Sequence, residues 1–365
     1  RGIKLYIKLF RIDQILEIVS SKSGSVLDEL YQNGTYNSRI LLDFSSQLVE
    51  ISRSIVKGEI PVPGIAANSS SFFLSLKSMD ANSLPISYSI VAYPVSESWQ
   101  NGTGRFDDIP FAKDGATWNY RTTNNTWASG SAIKSGGGGG TTEEGGGTWY
   151  TGSGYEATAS FNYQSPDLKL NITNIVNKWF TNTIPNNGII IKRPTIDEIS
   201  GDVFGTLNFF SRDTHTIYMP KLEVAWNDSN LAGTGSHTEL SDDNITIYFK
   251  NLKSEYTENT KTKLRVVGRK TYPSKTYSTA SFYSSIDRLP TSSYYSVKDA
   301  VTEETIIPFN DTFTQISCDT TGNYFNIRLN SFLPERTYRF IIKTVHDGGD
   351  NTRYFDNGFY FKVVR

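Results

Sequence analysis

The residues able to do acid–base, nucleophilic or metal chemistry are few in this chain and poorly spaced for it. His215, His237 and His346 are its three histidines and share no ligand spacing. No H-E-x-x-H, C-x-x-C, G-x-S-x-G or phosphate-loop motif accompanies them. His215, inside Ser211-Arg-Asp-Thr-His, reads as a strand-edge hydrogen-bonding residue rather than a base. The carboxylate pairs Asp107-Asp108 and Glu143-Glu144 invite a glycosidase reading, which needs two carboxyl groups facing each other across a cleft. Neighbours on a strand point to opposite faces, and Glu143-Glu144 lie in glycine-rich sequence, so both pairs read as solvated surface. Asp347, Asp350 and Asp356 sit near glycines and read as hairpin-turn residues before calcium ligands. Cys318 is the single cysteine, which excludes an intrachain disulfide and a thiolate metal cage; it reads as a small buried apolar residue. No catalytic, cofactor-binding or metal-binding residue is expected, and the chain is not read as an enzyme.

Aromatic side chains offer the other kind of chemistry, stacking against a ligand. Six Trp, 21 Tyr and 21 Phe stand in 365 residues. Trp99, Trp118 and Trp127 punctuate the turn-rich stretch Ser96 to Trp127, where tryptophan can pin a long connection onto a scaffold. Trp99, Trp118 and Trp179 read as core anchors. Trp127, Trp149 and Tyr150 border a glycine-rich loop at 130–147 and are the candidate carbohydrate-binding residues. The five consecutive glycines Gly136 to Gly140 read as a flexible surface loop, since nothing around them offers the strand, helix and Lys-Ser/Thr ending of a phosphate cradle.

The elements that must position these residues are mostly strands. Lys4 to Phe10, Ser38 to Phe44, Phe72 to Lys77, Ile86 to Tyr93, Leu168 to Ile172, Gly188 to Lys192, Gly205 to Ser211 and Lys221 to Trp226 alternate or run apolar as strands do. Ile12 to Val19 suits a strand or a helix. Thr173 to Trp179 has helical spacing, with Thr173 placed as its N-cap. Asn227-Asp-Ser-Asn marks a linker, after which Ile245 to Phe249, Lys263 to Val267, Tyr277 to Tyr283, Asn326 to Leu329, Tyr338 to Val345 and Tyr360 to Val364 read as strands. Gly348-Gly349 and Asn357-Gly358 read as turns between some of them. The fold class expected is all-β, in two domains of residues 5–227 and 231–365.

Charge narrows the partners. Lys plus Arg total 36 and Asp plus Glu 37, so no net positive field gathers nucleic acid or an anionic membrane. The apolar opening RGIKLYIKLFRIDQILEIVS is interrupted by Lys4, Lys8, Arg11, Asp13 and Glu17, which breaks a signal-peptide core and a membrane span alike.

Several segments, in order, resemble the DNRLRE-type (disaggregatase-related) family. They are SRILLDF, SYSIVAYPVSESW, DGATWNYR, LNITNIVNKWF, NNGIIIK and LNFFSRDTHTIYMPKLEVAW, spanning roughly Leu5 to Trp226. The resemblance implies an antiparallel jelly roll, found on secreted, cell-surface and phage structural proteins, some of which bind polysaccharide. With Thr148-Trp-Tyr and SRDTHTIYMP, the chain is similar to the version associated with bacteriophage virion proteins. The Gly-rich insertion departs from the compact pattern and weakens any carry-over of a sugar site. In the second domain SFLPERTYRFIIKT resembles the tyrosine corner of fibronectin-III-like and immunoglobulin-like modules, implying a smaller immunoglobulin-like β-sandwich.

The expected function is that of a non-catalytic structural protein of a bacteriophage virion, in its tail, connector or decoration layer. It would have no cofactor, and its partners would be other virion proteins in symmetric multiple copies. The alternative is a carbohydrate-binding module of a bacterial surface or secreted protein, with a host-surface polysaccharide as partner. An exposed aromatic strip separates the second reading from the first.

Overall fold

Alternation of burial underlies many of the strands that make up half of the described residues. In Ser71–Leu76 the side chains of Phe72, Leu74 and Leu76 are buried while Ser71, Phe73 and Ser75 are half-buried, which is the period-two pattern of a strand covered on one face. Each such buried side chain contributes about 1.5–3 kcal/mol. A computed structural model describes residues 6–11, 14–19, 38–57, 70–82, 84–101, 115–116, 120–128, 146–161, 167–194, 196–197, 206–210, 216–233, 235, 237–240, 244–272, 287–329, 332–346 and 351–365. Of these, 50% lie in strands and 10% in helices, so the protein is all-β. Two compact units divide the chain: Phe10–Ala66 with Ser71–Glu223, and Val224–Arg365 with Arg1–Leu9 and Ala67–Ser70.

Up to Trp226 the strands are β1 (Tyr6–Arg11), β2 (Gln14–Val19), β3 (Ser38–Asp43), β4 (Ser71–Leu76), β5 (Ser78–Asn82), β6 (Tyr88–Pro94), β7 (Tyr120–Thr122), β8 (Asn125–Thr126), β9 (Ala157–Phe161), β10 (Leu168–Asn171), β11 (Ile189–Lys192), β12 (Thr206–Phe209) and β13 (Lys221–Trp226). One sheet runs β1-β13-β4-β10 and a second runs β2-β3-β11-β6-β9, with two-stranded pairs β12-β5 and β7-β8 beside them. The ambiguous run before Val19 is thus a strand. Among the described residues two helices punctuate the sheets, α1 (Ser45–Val56) and α2 (Thr173–Phe180). The second buries Ile175, Val176 and Trp179. Thr173 is its first residue and not its N-cap. The Asn171 carboxamide oxygen accepts from the Thr173 N–H at 3.1 Å and from its hydroxyl at 2.6 Å, and Thr173 Oγ1 in turn accepts from the Phe72 N–H. The N-cap position falls on Ile172, which makes no side-chain cap bond, and Asn171 before it meets the first helical N–H from the end of β10.

The remaining strands are β14 (Ile245–Phe249), β15 (Glu255–Thr257), β16 (Lys261–Lys270), β17 (Ser293–Asp299), β18 (Thr305–Ile307), β19 (Ser317–Asp319), β20 (Gly322–Arg328), β21 (Thr337–His346) and β22 (Asn351–Val364). One sheet is ordered β14-β16-β20-β19 and the other β15-β22-β21-β17-β18, with β15 parallel to β22. Counted along the unit, the order 1-3-7-6 against 2-9-8-4-5 is that of an immunoglobulin-like sandwich. Its core is aromatic: Tyr295 stacks on Phe325 at 4.1 Å and Phe340 on Phe361 at 4.6 Å, among Leu264, Val266, Val297, Ile327 and Ile342. Tyr338 makes the tyrosine corner. Its hydroxyl accepts from the Leu333 N–H at 3.0 Å and reaches the Leu333 carbonyl at 3.3 Å.

Asn357-Gly358 does not end a strand. Both residues lie inside β22, where Phe340 of β21 pairs with Phe359 and Ile342 with Phe355, leaving Asp356, Asn357 and Gly358 opposite Ile341 alone. Gly358 takes φ +73°, so the glycine serves a bulge rather than a hairpin turn. Tyr277 to Tyr283 lies outside the described residues.

Candidate functional site

β11 is buried on both faces, and that locates the site. Ile189 and Ile191 point one way, Ile190 and Lys192 the other, and all four are buried. The register pairs Ile190 with Leu41 of β3 and with Tyr93 of β6, which puts these three side chains on one face. Across that face lie the turn-rich connections: Val95, Ala116, Trp127 and Trp149 form one apolar cluster with Leu41 and Ile190, and Tyr93 and Trp99 pack against it. Trp149 stacks on Tyr93 at 5.6 Å, and the Lys192 ammonium stands 5.2 Å from the Trp149 ring centroid.

Polar bonds fasten the layer. Glu97 is the hub, its Oε2 accepting from the Ala128 N–H at 2.9 Å and the Thr148 hydroxyl at 2.7 Å while Oε1 faces Arg121 Nε at 3.5 Å. Arg121 Nη1 donates to the Ser98 carbonyl at 3.0 Å, and Trp99 Nε1 to the Asn187 carbonyl at 2.8 Å. A short antiparallel bridge between Val95 and Trp149 is flanked by N–H donation from Ser96 to Thr148 and from Tyr150 to Pro94. Gly188 closes the approach to β11 at φ +85°, and a Cβ there would stand 2.0 Å from the Leu42 carbonyl oxygen. Only glycine tolerates both the conformation and the contact.

Two of the three carbohydrate candidates are buried within this layer. Trp127 is 3% exposed and Trp149 is 4% exposed, so both are core residues of the layer and neither presents a ring to solvent. The physical reason is that an apolar sheet face needs cover, and two tryptophans from the neighbouring loops supply it. Tyr150 is half-buried and stacks on Tyr155 at 5.8 Å, while Lys178 stands 4.0 Å over the Tyr155 ring. Trp179 is buried beside Phe44 at 5.9 Å, and Trp99 is half-buried.

The other singled-out residues do not converge on the layer. His237 Nε2 bonds the Asp319 carbonyl at 3.0 Å, His346 is buried, and Asp356 faces Arg339 at 3.5 Å from the bulge of β22. Cys318 is a free, buried thiol whose pKa burial pushes up. Trp118, Asp107, Asp108, Gly136 to Gly140, Glu143, Glu144, His215, Asp347 and Asp350 lie outside the described residues. Among the described residues no group of three His, Cys, Asp or Glu side chains could hold a metal ion. Sequence reasoning missed Glu97, Arg121, Thr148 and Lys192. Glu97 had a signal, a lone carboxylate two residues before Trp99 in a stretch of hydroxyl and amide residues. Lys192 closes an otherwise apolar Gly-Ile-Ile-Ile run, where a solvated lysine would be the ordinary reading.

No protein-family model matches the chain, and no curated protein is similar to it.

Proposed function

We propose that the chain is a non-catalytic structural protein of a bacteriophage virion, a tail, connector or decoration component that works through protein–protein assembly. The observation that carries this reading is the tryptophan layer. Trp127 and Trp149 are buried in the cluster that covers the sheet, which favours a part played through β surfaces over one played through an exposed aromatic platform for sugar. Glu97, the carboxylate of this layer, is held as an acceptor by a backbone N–H and a hydroxyl, which makes it a fastening and not a free acid or base. The DNRLRE-type resemblance supplies the virion context, and the jelly-roll winding it implies for the first unit belongs to this proposal. Sheets that end in short strands such as β18 and β19 offer edges at which repeated neighbours can dock.

Mass spectrometry of purified particles from the native source tests the reading. The chain is expected there in multiple copies per particle, and titration of the purified chain with a panel of polysaccharides is expected to give no binding heat. Absence from particles, together with saturable polysaccharide binding, would transfer the reading to the carbohydrate module. Release of reducing ends, lost on substitution of one carboxylate, would make the protein an enzyme.

A further inference from the structure

The two Asn-Gly pairs whose residues are all described meet opposite environments. At Asn187-Gly188 the side-chain amide donates to the Ser96 carbonyl at 3.1 Å, the Asn187 carbonyl accepts from Trp99, and the Gly188 N–H is held by the Asn186 side-chain oxygen at 3.1 Å. The Leu42 carbonyl pins Gly188 in place. At Asn357-Gly358 both residues are exposed, as is Asp356 before them, and none of the three has a partner residue in the β21–β22 register. Gly358 has no Cβ to hinder approach to its nitrogen, and its φ of +73° lies where only glycine is relaxed.

We propose that Asn357-Gly358 is a site of spontaneous modification, at which the asparagine converts to aspartate and isoaspartate in the folded protein. The Gly358 nitrogen, losing its proton to hydroxide, attacks Asn357 Cγ. The new N–Cγ bond forms as the Cγ–Nδ2 bond breaks, and the amide nitrogen leaves as ammonia. Water then opens the cyclic imide at either carbonyl. Opening at the α-carbonyl gives isoaspartate, opening at Cγ gives aspartate, and no electrons are exchanged with any oxidant. The bulge makes this possible inside a long strand, since residues outside the ladder can turn the side chain onto the next nitrogen without unzipping β22. Conversion places a second carboxylate one residue from Asp356, next to the network in which Arg339 already meets Glu303 and Asp356. The isoaspartate form also lengthens the backbone of the bulge by one methylene.

Peptide mapping of the full-length folded protein, incubated at mildly alkaline pH, tests the proposal. The tryptic peptide Tyr354 to Lys362 is expected to gain one dalton and to split into two chromatographic forms, one a substrate for isoaspartyl methyltransferase. The gain should accelerate with pH, and Asn357→Gln should abolish it. The peptide ending at Lys192 should stay unchanged at Asn187 in the folded protein and convert there once the chain is unfolded in denaturant. Equal conversion at Asn187 and Asn357 in the folded state would overturn the proposal. So would an unmodified Asn357 under conditions in which the unfolded chain converts.

Discussion

Replacing Trp149 by alanine separates a core anchor from a ligand platform. The side chain is 4% exposed, stacked on Tyr93, and packed with Trp127, Leu41, Val95 and Ile190. Truncation of a buried tryptophan costs about 3–5 kcal/mol, combining lost apolar burial with the cavity left behind. Lys192 adds to this, because its ammonium loses the ring it faces, an interaction of about 0.5–2 kcal/mol. Together these make about 3.5–7 kcal/mol, and for a unit of this size each kcal/mol moves the midpoint by about 2–4 °C, so the thermal midpoint should fall by roughly 7–28 °C. Unfolding followed by tryptophan fluorescence and by far-ultraviolet circular dichroism gives the measurement, with Tyr150→Ala as the comparison. Tyr150 is half-buried and stacks on one ring, so its removal should cost only about 0.5–1.5 kcal/mol from the lost pair. An unchanged midpoint for Trp149→Ala would refute the reasoning, because it would mean that the indole covers nothing.

Three further outcomes follow from named contacts. Gly188→Ala should destabilise strongly, since it forces an L side chain to φ +85° and into the Leu42 carbonyl; denaturant titration giving wild-type stability would contradict the close approach. Tyr338→Phe removes the hydroxyl that accepts from the Leu333 N–H and should cost about 0.5–1.5 kcal/mol, measured by the same titration. Acid should weaken the immunoglobulin-like unit through Asp299. Burial acts to raise this carboxyl, but the hydrogen bonds from Arg336, Thr302 and Val301 outweigh it and hold the pKa at about 2. Its folded pKa lies below its unfolded value, so its stabilisation is complete above about pH 4 and is lost as pH falls through 2, a change of about 2 kcal/mol that Asp299→Asn should remove from the pH profile.

The all-β class and most strands on one-sided sheet faces were legible, because alternation is a local signal. β4, β13 and β14 announce themselves in this way. β17 was not found, because six of its seven residues are buried and both of its faces are covered, so Ser293–Asp299 carries no alternation to read. α1 was missed for a related reason: Ser52 and the buried Ser54 interrupt its apolar run, and it follows β3 after Phe44 alone. At the candidate site, tryptophan was rightly marked as special, but its direction was not in the sequence. Whether an indole between glycines faces water or a sheet depends on what lies across from it, here Ile190 and Leu41, which are 63 and 86 positions from Trp127.

The double cover of β11 also makes pairing of the sheet and closure of the layer two separable events. Ile190 and Leu41 can be paired by sheet formation before Trp127 and Trp149 arrive, and until then the sheet carries a bare apolar face. Such a half-closed state is sticky in the way edge strands and exposed cores are sticky. Release of the layer alone would expose the same face again without unfolding the strands beneath it. In amide exchange, the Ser96 and Tyr150 N–H groups, which donate to Thr148 and Pro94, would then report the lifting of the cover, and those of Ile190 and Ile191 the rarer loss of the sheet.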